Sequence, residues 1–254
     1  MEPLVSIVVP VYNARDYIED TIHMVERQTF RNFELILVDD CSADDSVSII
    51  NRCIRETSLP EGSIRLIAKE RNEKTAAARN SGIDAARGRY IAFLDADDVW
   101  LADKLEKQLD FMRKGDYAFS FTAYEFGDEN ARPTGKIVNV PLDFVYKEAL
   151  YRTIIFTSTV IFDTDKLSKE DIHMPLIESE DTATWWKVMQ KGVTAHGLNE
   201  VLTIYRRPAA SLSSNKLKAV KRIWGLYRQI AGLGLLSSCV HLLGWAYYAS
   251  KRRL

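Results

Sequence analysis

Residues 4–10 read LVSIVVP, a β-branched apolar run of strand length that ends at Pro10. A run that is apolar at nearly every position, here at all but Ser6, rather than at alternate ones, marks a strand covered on both faces, as in a parallel sheet. Working outward, residues 14–28 place Tyr17, Ile18, Ile22 and Val25 on one helical face. Residues 33–38 (FELILV) give a second strand, and a second helix follows with Val47, Ile49, Ile50 and Ile54, its start capped by Asp44 or Ser46. Residues 64–68 form a third strand, residues 76–86 a helix closed by Gly88, and residues 90–94 (YIAFL) a fourth strand. This alternation predicts an α/β fold whose mostly parallel sheet carries helices on both faces. In such sheets ligands bind beyond the carboxyl ends of the strands, which directs attention to the loops after Pro10, Val38, Ala68 and Leu94.

Farther along, helical spacing covers residues 104–112 and 178–190, and strand-like runs cover 117–124 and 154–162. Residues 201–205 read as an edge strand, and residues 125–150 show no clear period. The 254 residues suit one large domain, or one domain with an appendage, and 46% hydrophobic with 27% charged residues is the composition of a globular chain with a real core. Cys41, Cys53 and Cys239 are odd in number and lack CxxC spacing, so neither a disulfide framework nor a zinc site is expected, and a reducing cytosol is the simplest setting. The N-terminus shows neither a basic region nor a cleavage site, so no signal peptide is expected.

Polar clusters sit at three of the four strand ends. After the first come Val11, Tyr12 and Asn13: Tyr12 offers a face for a flat base and Asn13 can satisfy turn backbone, although an ordinary strand-to-helix turn explains the same residues. After the second comes DDCSADDS, residues 39–46, in which Asp44 and Ser46 suit helix capping while Asp40 stands too early for it and is better placed to accept from the N–H of a pyrimidine base. After the fourth comes DADD, residues 95–98. Its carboxylates repel one another unless a cation or hydrogen bonds compensate, and hard oxygen ligands suit Mg²⁺ or Mn²⁺. Glu180 and Asp181 precede an aromatic helix, where acids favour the first turn in any case and where one could serve as a general base.

The stretches VSIVVPVYN (5–13), ILVDDCSADDS (36–46), AARNSGIDAARGRYIAFLDADD (77–98) and ESED (178–181), in this order and spacing, resemble family 2 glycosyltransferases of the Rossmann-type GT-A fold over about residues 4–215. The resemblance implies that Pro10, Val11, Tyr12 and Asn13 line a nucleoside pocket and that Asp40 binds the uracil edge of a UDP-sugar. It further implies that Lys74 and Arg79 face the base or diphosphate, that Asp95, Ala96 and Asp97 meet the donor, and that Asp97, with Asp95, binds Mn²⁺ or Mg²⁺. Asp181 would be the catalytic base of an inverting transfer, and Glu180, Trp185, Arg206 and Ser211 would touch acceptor or phosphate. The chain departs from the family in lacking glycine at Asn72-Glu73-Lys74-Thr75 and in placing Pro208 where relatives have histidine after the late Tyr205-Arg206 pair. It has no QxxRW stretch, which implies a non-processive enzyme.

The domain reading is a transferase domain over residues 1–215, with a nucleotide-binding half (1–100) and an acceptor half (101–215), followed by a helical tail, 216–254. The net charge of −1 conceals a split, because no acidic residue follows Glu200 while Lys218, Lys221, Arg222 and Arg228 do. Two tail helices broken near Gly232 and Gly234 read as lying in a membrane interface beside anionic lipid, at the inner face of the plasma membrane of a cytoplasmic protein, with a pair packed on the domain as the alternative. The expected partners are a nucleotide-sugar donor, a glycan or lipid-linked glycan acceptor and a membrane surface; no nucleic-acid motif is visible, and the oligomeric state is not readable. A sugar nucleotidyltransferase would need a GxGxR-type loop and a dehydrogenase a GxGxxG turn, neither of which Val11-Tyr12-Asn13 provides. A non-catalytic nucleotide-sugar-binding protein remains the other class to weigh.

Overall fold

The computed structural model describes residues 3–207 and 216–251. In chain order the elements begin β1 (Val5–Val11), α1 (Ile18–Glu26), β2 (Phe33–Asp39), α2 (Ser46–Glu56), β3 (Ile64–Ala68), α3 (Lys74–Ala85) and β4 (Tyr90–Phe93). They continue β5 (Val99–Trp100), α4 (Lys104–Gly115), β6 (Phe119–Gly127), β7 (Pro133–Val138), β8 (Asp143–Phe144), α5 (Tyr146–Ala149), a 3-10 turn (Thr157–Thr159) and β9 (Ile161–Asp163). The chain closes with α6 (Lys169–Ile172), α7 (Glu180–Gln190), β10 (Ala195–Arg206), α8 (Lys216–Gln229) and α9 (Leu235–Lys251).

One mixed sheet runs β3-β2-β1-β4-β9-β6-β10-β5, with β7 on β6 and β8 on β10. The first four strands of that order are parallel, as their near-continuous apolar runs predict. Along β1, Val5, Ile7, Val9 and Val11 enter one core with α1, α2 and α4, while Val8 enters the other with α3, α7 and α8, so helices cover both faces. Gly88 does not close α3 in a left-handed turn, since the helix ends on extended Ala86. Its requirement is close approach, because a Cβ there would lie 2.7 Å from the Ser6 amide nitrogen.

Two strand expectations need correction. Residues 154–162 hold only the start of β9, and Thr157–Thr159 turn as a 3-10 segment with buried hydroxyls. The run at 201–205 belongs to a 12-residue strand that lies between β6 and β5, not at an edge. Register shifts between Leu198 and Thr203, together with exposed Asn199 and Glu200, hide its period of two.

Lys104, in the first turn of α4, is fully buried, and its Nζ lies 3.7 Å from the Trp100 ring centroid without a hydrogen-bond partner. Burial pushes its pKa well below the ordinary lysine value. A depressed ammonium pKa means the folded state holds fewer protons than the unfolded one, so stability falls as pH drops below the ordinary lysine pKa toward the folded value. Lys104→Met is expected to raise stability by about 1–3 kcal/mol, with a larger gain near pH 6 than near pH 9 in urea denaturation. An equal gain at both values would mean that Lys104 does not titrate in that window.

The tail helices pack on the domain. Ile223, Leu226 and Tyr227 of α8 are buried in the α7 core, the Tyr227 ring stacks on Trp186 at 5.5 Å, and its hydroxyl donates to the Leu150 carbonyl at 2.6 Å. α9 touches the domain through Trp245, whose Nε1 donates to Thr153 Oγ1 at 3.4 Å, and through Gly244, whose place any Cβ would bring to 2.4 Å from the Tyr151 ring. Its outer side bears Leu236 at 86% exposure, Val240 and Tyr247, with Leu243 at 73%. That spacing makes one apolar stripe along the helix. No helix among the described residues is long and apolar enough to cross a membrane.

Candidate active site

The β1 tip is fastened by side chains from the loop after β2. Asn13, at φ 51°, accepts the Ala43 N–H through Oδ1 and donates its own N–H to Ser42 Oγ, both at 2.9 Å. Ser46 Oγ accepts from the Ala14 N–H and Asp44 Oδ2 from the Arg15 N–H. Asp44 also takes the N–H of Ser46, the first residue of α2, so these residues serve the helix start and the neighbouring loop together. The result is a rigid ledge carrying Tyr12, which is half exposed beside Pro10 and Val11.

Asp40 lines the same cleft, but both its oxygens are engaged: they accept the N–H groups of Glu73 and Lys74 at 2.9 and 2.7 Å, with Lys69 Nζ 3.4 Å away. The glycine-free stretch therefore keeps a glycine-like bend, since Lys74 adopts φ 75° and Asp40 holds it there. The Lys74 side chain is exposed. The neighbouring Asp39 accepts from the Ser42 N–H and keeps its other oxygen buried without a partner.

The loop after β4 rests on the 3-10 turn. Ser158 Oγ accepts from the Asp95 N–H at 3.0 Å and donates to Asp98 at 2.5 Å. Asp98 is buried and also accepts the Arg206 N–H, so burial, then Asp95 and Asp97, raise its pKa well above the carboxylate norm. Arg206 donates from Nε to the Asp97 carbonyl at 2.6 Å and lies over the Tyr17 ring, clamping the loop from outside the cleft rather than reaching a phosphate. The Asp97 pKa is raised by burial and then by the Asp95 charge, and among the described residues no lysine or arginine forms an ion pair with Asp97. A pair of hard carboxylates so placed fits a divalent cation.

Arg79 joins the two sides of the site. Buried on α3, it donates from Nη2 to Asp95 at 2.6 Å and from Nη1 to Glu180 at 2.8 Å. It is a bridge between carboxylates and not a free anion ligand. On one side lies a cavity of about 470 Å³ with Tyr12, Asp40 and Asp97; on the other lies one of about 370 Å³ with Thr157, Asp181 and Tyr205, and both share Arg79, Asp95 and Glu180. Glu180 is committed to Arg79, and burial raises its pKa against that pull, with Asp181 adding to the rise. Asp181 instead accepts a bond from Thr157 Oγ1 at 3.1 Å and faces the second cavity. Arg79→Lys cannot span both partners with one ammonium, and a loss of about 2 kcal/mol in stability is expected, readable by denaturation.

Trp185 lines neither of these two cavities: it is buried among Phe93, Phe119 and Phe162. Ser211 lies outside the described residues. Sequence reading missed Ser158 and Asp98 as the support of the acidic loop and Thr157 as the partner of Asp181, and the one signal available was three hydroxyl residues interrupting an apolar run at 157–159.

Comparison with known proteins agrees with this geometry. Residues 6–172 match the family described as Glycosyl transferase family 2. The chain is 42% identical to the putative teichuronic acid biosynthesis glycosyltransferase TuaG of Bacillus subtilis, over 100% of this chain and 98% of that one. It is 36% identical, over 86% of itself and 83% of the relative, to the Escherichia coli UDP-Glc:alpha-D-GlcNAc-diphosphoundecaprenol beta-1,3-glucosyltransferase WfaP. Among solved structures, the mannosyltransferase PcManGT of Pyrobaculum calidifontis in complex with GDP-Man and Mn²⁺ superposes with a TM-score of 0.72 at 18% identity, covering 98% of this chain and 74% of that one. TarS of S. aureus in complex with UDP superposes at 0.67 and 19% identity, covering 95% and 70%. The sheet order, the two-sided cleft and these matches together place the chain in glycosyl transferase family 2, as a glycosyltransferase of the GT-A fold.

Proposed function

We propose that the chain performs a single inverting transfer of a sugar from a UDP-sugar to a hydroxyl of a lipid-linked glycan, in cell-surface polysaccharide synthesis at the inner face of the plasma membrane. The observation that carries this reading is the pair of cavities that meet at Arg79, Asp95 and Glu180. Residues 1–100 form the donor half, 101–215 the acceptor half, and the tail beyond 216 lies against the bilayer. Tyr12 stacks on the base between Pro10 and Val11, and Asp40 shapes the base pocket through the loop it holds. Asp97 and Asp95 hold Mn²⁺ or Mg²⁺, which supplies positive charge to the departing diphosphate.

The protein's own part in the reaction is positional and basic. Arg79 keeps Asp95 and Glu180 apart at fixed separation, and Ser158 holds the loop. Asp181 takes the proton of the acceptor hydroxyl; the oxygen forms its bond to the anomeric carbon as the bond to the diphosphate breaks on the opposite face. One displacement inverts the anomeric centre and needs no protein nucleophile. The names of TuaG and WfaP support a surface-polymer role and a lipid-diphosphate acceptor. The purified chain, given a panel of UDP-sugars, Mn²⁺ and a lipid-diphosphate-linked sugar, is expected to yield a β-configured product from an α-linked donor by NMR. A product of retained configuration, or donor binding with no transfer and no hydrolysis to any acceptor, removes the reading in favour of a retaining enzyme or a non-catalytic binder.

A further inference from the structure

One large cavity lies outside the cleft. It measures about 710 Å³ and lies between β7 and α9, lined among others by Ile137, Tyr151, Arg152, Thr153, Trp245 and Tyr248. Thr153 and Trp245 also line the cavity that holds Asp181, and the Trp245 Nε1 to Thr153 Oγ1 bond sits where the two meet. The two spaces are therefore neighbours through one shared pair of side chains. Its chemistry is mixed: aromatic walls from Tyr151, Trp245 and Tyr248, and a cation at Arg152. The Arg152 guanidinium stands 5.8 Å from the Tyr248 ring centroid and 6.0 Å from that of Phe144, and it forms no ion pair among the described residues. The same helix carries the exposed apolar stripe of Leu236, Val240, Leu243 and Tyr247. No acidic residue among those described lines the cavity itself, while Lys136 does.

We propose that this groove holds the diphosphate and first isoprenoid units of the acceptor's lipid anchor, with Arg152 on the diphosphate and Tyr248 and Trp245 against the chain. The proposal rests on the lipid-linked acceptor of the preceding reading and adds where its anchor lies. The order of features matches such a molecule: a hydroxyl-bearing sugar near Asp181, its diphosphate past Trp245 at Arg152, and a hydrocarbon tail leaving along α9 into the bilayer. A planar guanidinium backed by rings pairs with phosphate oxygens at two points while the rings cover the adjoining methylenes.

The test is calorimetric titration of the full chain with farnesyl diphosphate, inorganic diphosphate and farnesol, which needs no turnover. Farnesyl diphosphate is expected to bind at least about tenfold more tightly than either fragment. Arg152→Gln, and separately Ile137→Glu at an exposed strand position lining the groove, are each expected to weaken it by about tenfold or more with UDP-sugar hydrolysis unchanged. The second variant keeps Arg152 and its packing, so a folding defect in the first does not decide the matter. Retention of affinity within about twofold in both variants overturns the groove. So does equal binding of inorganic diphosphate, which would leave a bare anion site, or full displacement of the probe by phosphatidylglycerol vesicles, which would make it a headgroup site. Absence of both transfer and UDP-sugar hydrolysis in the parent chain fails the preceding reading instead, and leaves these titrations interpretable.

Discussion

Asp181→Asn is expected to lower sugar transfer by about 10²–10⁴-fold while donor binding stays at the parent level. The amide has the shape of the carboxylate and its one oxygen can keep the Thr182 N–H while its NH2 donates to the Thr157 hydroxyl, so the change is confined to one reversed hydrogen bond. What disappears is the ability to take a proton from the acceptor oxygen. Two acids stand side by side here, and their partners separate their roles. Glu180 is ion-paired to a buried arginine, which makes it a structural counter-charge, although burial raises its pKa. Asp181 forms no ion pair among the described residues, accepting only the Thr157 hydroxyl and the Thr182 N–H, and it lines the open second cavity, as a base must. Glu180→Gln is accordingly expected to lower stability through the loss of charge against Arg79, with a smaller effect on turnover. The measurement is single-turnover transfer with a UDP-sugar, alongside donor affinity. Transfer by Asp181→Asn at near-parent rate, or a larger rate loss in Glu180→Gln than in Asp181→Asn, would move the base to Glu180 or elsewhere.

The donor half was legible in the sequence because its signals are local. Residues 4–10, 33–38 and 90–94 are largely buried on both faces, so their runs are apolar except at Ser6 and Glu34, which bond to each other, and each ends in the loop that builds the cleft. The acceptor half was not, for a different physical reason at each element. β10 carries bulges that turn Asn199 and Glu200 outward and break its alternation. The segment 154–162 looks like a strand by composition, yet Ser158 spends its hydroxyl on Asp95 and Asp98, residues 63 and 60 positions away, and that demand bends the chain into a turn. Arg206 and Trp185 illustrate the same limit. A cation after a tyrosine and a tryptophan after two acids both read as ligand contacts, and only the fold shows one gripping the outside of a loop and the other filling an aromatic core. Asp40 is a subtler case: its place at the cleft was readable, but not its grip on the amides of Glu73 and Lys74, which replaces the glycine missing from that loop.

Asp97→Ala carries the other large expectation, and its sign reverses between the free and the liganded protein. Burial and the neighbouring Asp95 charge raise the Asp97 pKa, so the ionised side chain opposes folding. Stability tied to its protonation is present below the ordinary carboxylate pKa and is lost as pH rises through the raised folded value. At neutral pH the unliganded Asp97→Ala protein should therefore melt no lower than the parent. With Mn²⁺ and a UDP-sugar at about a hundred times their dissociation constant, the parent should gain about 2.7 kcal/mol, and the variant should lose most of that gain. Asp98→Ala supplies the contrast, because Asp98 is buried and holds the Ser158 hydroxyl and the Arg206 amide, so its removal should destabilise the protein with or without ligand. Thermal melts of the three proteins, each with EDTA, with Mn²⁺ and with Mn²⁺ plus donor, read both signs at once. A full Mn²⁺-dependent donor shift in Asp97→Ala would take Asp97 out of the cation's ligands, and a lowered melting point without ligand would show that its carboxylate holds the loop together instead.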